Sequence, residues 1–240
     1  MTKKHSRRVV PAIALTLLAL LAAAGLWFSG ASYPAGEAAR AALTSDSQVT
    51  VWSEGALTVF APAEPEQGFI FYPGGLVEHT AYAPLLRALA QQGWLCVLTE
   101  MPFDLAVLDV GAADGVRERF PEIEHWRIGG HSLGGAMAAT YAAKHPGDFD
   151  ALILLAAYST ADLTDSGLTV FSLYGSEDGV LDRSKYASYR INLPGDLQEV
   201  ILPGGNHAQF GDYGTQQGDG TATVPPEAQL AWAVRILTGK

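Results

Sequence analysis

One serine in this chain has neighbours that suit a nucleophile. In Arg127-Ile128-Gly129-Gly130-His131-Ser132-Leu133-Gly134-Gly135 the pattern G-x-S-x-G falls on Gly130, Ser132 and Gly134. The run Trp126–Gly129 before it reads as a strand, and the small-residue run from Gly135 to Lys144 reads as a helix. A serine on a sharp strand-to-helix turn presents its hydroxyl outward. The flanking positions must be small, because such a turn brings two backbones together and strains the dihedrals between them. The free N–H groups at the start of the helix suit a developing oxyanion. This chemistry is acyl transfer, with Ser132 as nucleophile. A serine hydroxyl is a weak nucleophile at neutral pH, so it needs a base, and the base needs a third group to orient it.

GHSLGG in this setting resembles the α/β-hydrolase superfamily. Further segments share the resemblance: FYPGGLVEHTAYAPLLRALAQQGW at 71–94, SLYGSEDGV at 172–180 and LPGGNHAQFGDYG at 202–214. Together they are similar to the small, lidless, dienelactone-hydrolase-like branch, over roughly residues 50 to 238. Dienelactone hydrolases proper resemble this pattern with cysteine as nucleophile. Ser132 departs from them, so the resemblance does not carry their substrate over.

The resemblance implies the chain order serine, acid, histidine. Asp178, in Gly175-Ser176-Glu177-Asp178-Gly179, fits the acid, with Glu177 and Asp182 as near rivals and Asp162 or Asp165 as a fallback. His207 is the only histidine after it. Both follow strand-like runs, which puts them on the sheet edge where open α/β sheets bind ligands. One oxyanion donor is then expected at the N–H of Leu133. The second is expected in Pro73-Gly74-Gly75, which resembles the superfamily's HG-x segment with proline for histidine; Gly75 is favoured and Leu76 is the runner-up. Glu78 and His79 either face substrate or start a helix. Asp212 and Asp219 suit backbone hydrogen bonds that hold the loop after His207. His131 is expected to pack beneath the elbow.

These side chains need a scaffold, and apolar runs supply it. Strands are expected at 49–52 and 56–60 as a hairpin around Ser53-Glu54-Gly55, then at 68–72, 94–99, 126–129, 151–156, 168–174 and 199–202. Helices are expected at 82–91, 103–120 with breaks near Gly111 and Gly115, 135–144, 183–190 and 226–237. The fold class is therefore α/β: a mostly parallel central sheet, helices on both faces and an antiparallel N-terminal hairpin at the edge. Only about eleven residues, Ala157–Gly167, separate two strands where the superfamily commonly inserts a lid, so no lid domain and an open site are expected.

Composition narrows the function classes. Apolar residues make up 48% of the 240 and charged residues 17%, which describes a globular chain. Val9–Phe28 is a charge-free run of twenty behind Lys3, Lys4, Arg7 and Arg8. It is expected to be a transmembrane signal anchor, with a cleaved signal ending near Ala31 as the alternative. Residues 1–8 then form a cytoplasmic basic segment and 29–48 a tether, in which 35–42 is either a short helix or plain linker. Residues 49–240 form an extracytoplasmic hydrolase domain. Beyond the apolar run the chain carries 11 basic against 25 acidic residues, a net of −14, which argues against nucleic acid as a partner. Cys96, the single cysteine, lies in an apolar run and reads as a buried thiol. No metal-ligand spacing is present and no cofactor is required. The expected partner is a small acyl substrate, and the expected function is hydrolysis of esters or related acyl compounds. A transacylase, a peptidase or a non-catalytic membrane-tethered binding module are the alternatives.

Overall fold

Eight strands join in one sheet in the computed structural model, which describes residues 32–239. They are β1 (Val49–Glu54), β2 (Leu57–Pro62), β3 (Gln67–Tyr72), β4 (Trp94–Thr99), β5 (Trp126–His131), β6 (Ala151–Leu155), β7 (Thr169–Gly175) and β8 (Gln198–Leu202). Their order across the sheet is β1-β2-β4-β3-β5-β6-β7-β8. β2 runs antiparallel to both β1 and β4, and every other pair is parallel. The hairpin expected from the sequence forms that edge, turning at Gly55, whose φ of 60° suits a residue without Cβ.

The central strands carry apolar residues on both faces because both faces are covered. Phe69, Phe71, Cys96, Leu98, Ile153, Leu155 and Leu173 point into one core. Helices α1 (Glu37–Ala42), α2 (Ala83–Ala90), α4 (Arg183–Tyr189) and α5 (Pro226–Thr238) contribute buried residues to that core. Ile70, Tyr72, Val97, Ile128, Leu152 and Leu154 point into the other, against α3 (Leu133–Lys144) and the segment 101–123. Each fully buried Phe, Leu or Ile contributes about 1.5–3 kcal/mol, so the two cores fix the strand register on which the site is built.

Two stretches differ from the sequence expectation. Residues 103–120 contain no α-helix; they form short 3-10 turns at Pro102–Asp104, Ala106–Leu108 and Arg117–Arg119, with Phe103 and Asp104 at φ 54° and 55°. Pro102 and the glycines disfavour a continuous helix. The buried Tyr72 also draws on the backbone there: its hydroxyl donates to the Val110 carbonyl at 2.7 Å and accepts the Ala113 N–H at 2.9 Å. Sequence periodicity over 103–120 reflects Ala106, Ala113 and Val116 packing onto the sheet from an irregular chain.

The second stretch is the expected tether. From Tyr33 on it is built into the domain. α1 buries Ala39 and Ala42, although six residues are too few for a stable isolated helix. Side chains from elsewhere cap both of its ends. Asp212 accepts the Ala39 N–H at 2.7 Å, and Arg87 donates to the carbonyls of Ala42 and Thr44 at 3.0 and 2.7 Å. The expected membrane segment at 9–28 lies outside the described residues. Among those described, no helix is long and apolar enough to cross a membrane. The Ala157–Gly167 connection holds no helix or strand and is pinned down by the Leu163 N–H, which donates to the Asn192 carbonyl at 2.7 Å.

Candidate active site

β5 ends at His131 and α3 begins at Leu133, leaving Ser132 alone on the turn with φ 52° and ψ −122°. For a residue with a Cβ this conformation costs about 1–3 kcal/mol and persists only when the surroundings impose it. Here they do. The Ser132 N–H is held by the Leu155 carbonyl at 2.9 Å. A Cβ on Gly130 would overlap the Tyr72 carbonyl oxygen, and one on Gly134 would overlap those of Tyr72 and Pro73. The G-x-S-x-G glycines are thus required by backbone contact. The Ser132 hydroxyl does not cap its own helix, so it remains available for other chemistry.

Asp178 lies just beyond β7 and His207 just beyond β8, and the two meet. The Asp178 Oδ2 is 2.9 Å from Nδ1 of His207, with both side chains essentially without solvent exposure. Oδ1 of Asp178 accepts the N–H groups of Val180 and Leu181 at 2.9 and 2.8 Å. Burial pushes the Asp178 carboxyl up, but the His207 bond and those two N–H groups outweigh it and hold the carboxyl below its usual range. An ionised carboxylate only accepts, so this pairing assigns the His207 proton to Nδ1. The other nitrogen, Nε2, is left as a buried acceptor without a hydrogen-bond partner among the described residues. The rival acids lie elsewhere. Glu177 is exposed and pairs with Ser176, Asp182 caps α4 through the Lys185 N–H, and Asp162 binds Thr164.

Backbone donors lie beside the residues that flank Ser132. The Leu76 N–H is committed to the Asp104 carbonyl at 2.8 Å, and the Gly74 N–H to the Tyr82 hydroxyl at 3.1 Å. Between them Gly75 carries an N–H with no acceptor among the described residues, and Leu133 does too as the first residue of α3. The two residues are neighbours: a Cβ on Gly75 would stand 3.0 Å from Leu133 Cδ2. Ser132 and His207 open onto the same cleft of about 450 Å³, with walls that include Leu133, Met137, Val180 and Leu181 and with Lys185 at its edge. Such a volume suits a small ligand with an apolar part. Among the described residues no cluster of His, Cys, Asp or Glu could hold a metal ion.

The alpha/beta hydrolase family model matches residues 68–231, more than half of the chain. The chain belongs to that family. Solved structures agree on the fold of this hydrolase. A Thermus thermophilus protein has a TM-score of 0.58 at 14% identity, covering 80% of this chain and 98% of its own. A predicted CIB-like hydrolase of Thermoplasma acidophilum and a dienelactone hydrolase of Anabaena variabilis each reach 0.56 at 15% identity. Both cover 80% of this chain, with 98% and 96% of their own. No curated protein matches the sequence.

The remaining residues of interest in the hydrolase divide into those near the site and those that are not. Asp219 ties the Asp178 loop and the His207 loop together. Its Oδ1 accepts the N–H groups of Gly179, His207 and Gly220 at 3.1, 3.2 and 2.8 Å, and its Oδ2 accepts that of Ala208 at 2.8 Å. Gln229, fully buried on α5, clamps the residue before His207: it accepts the Asn206 N–H and donates to the Asn206 carbonyl, both at 2.9 Å. Sequence reasoning misses Gln229; the available signal is an amide among the apolar residues of α5. Glu78 is structural, binding the Ala35 N–H at 2.8 Å and Thr80 at 2.7 Å. His79 lines a separate cleft with Trp52 and Glu100, away from Ser132. Asp212 caps α1. Cys96 is buried in the core and its thiol is pushed well up by burial. His131 packs directly on the His207 ring, with centroids 4.4 Å apart.

Proposed function

We propose that this α/β-hydrolase is a serine hydrolase that cleaves esters or related acyl compounds through an acyl-enzyme. Ser132 attacks the acyl carbon while His207 Nε2 takes its proton, then returns a proton to the leaving group. Asp178 holds His207 in the productive tautomer and balances its transient charge. The N–H groups of Leu133 and Gly75 receive the oxyanion. Water then attacks the acyl-enzyme and regenerates Ser132. One observation carries the reading: a buried carboxylate–imidazole pair whose second nitrogen has no hydrogen-bond partner among the described residues and whose histidine lines the same cleft as Ser132. No hydrogen bond joins Ser132 to Nε2 of His207 in the free enzyme. Such bonds commonly tighten only when substrate is bound.

The test is labelling with a fluorophosphonate probe. The wild type should label, and Ser132→Ala and His207→Ala should not. Equal labelling of Ser132→Ala would refute the assignment. The anchor is likewise a proposal, supported by the charge-free run at 9–28 behind four cations. The full chain should stay with membranes through a high-salt wash; a soluble species beginning near Ala31 would show a cleaved signal instead.

A further inference from the structure

The proposed mechanism leaves unused a buried polar pair beneath it. Tyr82 has no solvent exposure, and His131 has almost none. The Tyr82 hydroxyl accepts the Gly74 N–H at 3.1 Å and lies 2.8 Å from Nδ1 of His131. Gly74 can only donate. The Tyr82 proton therefore needs an acceptor, and His131 Nδ1 is the one within reach. This makes His131 a neutral imidazole with its proton on Nε2, at a place where its main polar neighbour is the main chain of His207, short of hydrogen-bond geometry. Burial, and then the neighbouring His207, hold the His131 ring well below the usual histidine range, which agrees with the neutral form.

The pair touches all three working parts of the site. Through Gly74 it holds the residue beside the Gly75 oxyanion donor. His131 is itself the residue before Ser132. Its ring supports the ring of His207 at 4.4 Å. Phe71, Phe210 and Tyr213 wall it in, with ring centroids 5.0 to 6.3 Å from Tyr82 or His131. We propose that Tyr82 and His131 act as a positioning pair, in which the Tyr82 O–H to His131 Nδ1 bond locks the oxyanion loop onto the elbow and seats the His207 ring. Neither residue touches substrate. The inference rests on the Ser132–His207–Asp178 reading.

Tyr82→Phe in the full chain removes one oxygen and keeps the ring packing. In a p-nitrophenyl acetate assay normalised to phosphonate-titrated active sites, kcat should fall about 10–100-fold with KM changed by less than about twofold. That split is expected when an oxyanion donor is displaced while the substrate-binding walls stay in place. His131→Asn loses the ring that packs on His207 but places Oδ1 near the former Nδ1 and still accepts from Tyr82, so it should be clearly more active than His131→Leu. His131→Leu should lose at least as much as Tyr82→Phe, since it also removes the ring packed on His207, and combining the two should cost less than the product of the single losses, because both delete the same bond. A part that merely filled space would show no rescue by asparagine. Unchanged kcat in Tyr82→Phe, or His131→Asn as impaired as His131→Leu, would overturn the pairing. A wild type that neither labels nor turns over would instead overturn the serine-hydrolase reading beneath it.

Discussion

Replacing Asp178 by asparagine should be far more damaging than the loss of one charge suggests, because the surroundings dictate which way the amide must face. Oδ1 is committed to the Val180 and Leu181 N–H groups at 2.9 and 2.8 Å. An amide NH₂ cannot accept, so asparagine must keep its oxygen there and turn NH₂ toward His207 Nδ1. Nδ1 then has to accept, the imidazole proton moves to Nε2, and the lone pair needed for the Ser132 proton is gone. Flipping the amide would restore the tautomer but leave two N–H groups unsatisfied, at about 1–3 kcal/mol each. The carboxylate that balances the imidazolium is absent in either case. The expected loss in kcat is about 10³–10⁴-fold, the scale known for this change in serine protease triads. Linkage adds a second readout. The folded Asp178 pKa is depressed, so its contribution to stability is present above its unfolded value near 3.8 and fades as pH falls through the lower folded one. Asp178→Asn should lose that contribution at neutral pH and flatten the acid limb of the melting curve. Glu177→Gln, exposed and bonded only to Ser176, should stay within about twofold of wild type. An Asp178→Asn enzyme retaining more than about a tenth of wild-type kcat on a p-nitrophenyl ester would refute the reasoning.

Asp219→Ala should leave four backbone N–H groups without their acceptor. Water can reach part of this half-buried site, so the cost should be about 2–4 kcal/mol in denaturant melts, with kcat falling because both catalytic loops loosen; Asp219→Asn should recover part of each. His131 supplies a pH prediction. Its folded pKa is depressed, so the unfolded chain binds a proton that the folded one excludes, and melting temperature should fall as pH drops below about 6.5. His131→Asn should reduce that slope, and an unchanged slope would show that other groups set it. A fragment beginning at Val49 should melt lower and turn over more slowly than one beginning at Ser32. Equal behaviour would show that the segment from Tyr33 is dispensable.

Much of the candidate site is legible in the sequence because its parts are local. The elbow needs small residues at fixed offsets from Ser132, and a Cβ at Gly130 or Gly134 would meet backbone atoms, so the spacing records a packing constraint. Strands β3 to β7 are legible because they carry apolar residues on both faces, both of which are buried. What stays hidden depends on neighbours distant in the chain. The local Gly175–Gly179 pattern favours Asp178 over Glu177 without deciding between them; the approach of His207, 29 residues on, does so. Residues 103–120 read as helical from sequence, while the Tyr72 hydroxyl that organises the backbone there lies on a strand. Tyr82 and Gln229 read as ordinary helix residues. Their polar atoms matter because each is buried beside a backbone group that has no other partner.

The segment from Tyr33 to Ala42 shows the same dependence and explains why a short helix outside the matched family region is held so firmly. The Tyr33 N–H donates to the Leu76 carbonyl at 2.8 Å, and the Glu78 N–H donates back to the Tyr33 carbonyl at 3.0 Å. Both partners follow Gly75 in the loop after β3. Three residues later the Gly36 N–H donates to the Asp212 carbonyl at 2.7 Å, and Ala39 takes its cap from the Asp212 side chain. Asp212 belongs to the loop after His207. The Tyr33 hydroxyl reaches that loop as well, accepting the Gln217 N–H at 3.1 Å. One segment therefore bridges the loop after β3 and the loop after β8, two strands that stand four places apart in strand order. Loops are the mobile parts of such folds, and catalysis tolerates little looseness between a base and an oxyanion site. By joining the two loops directly, the segment limits their relative motion where the sheet alone would not.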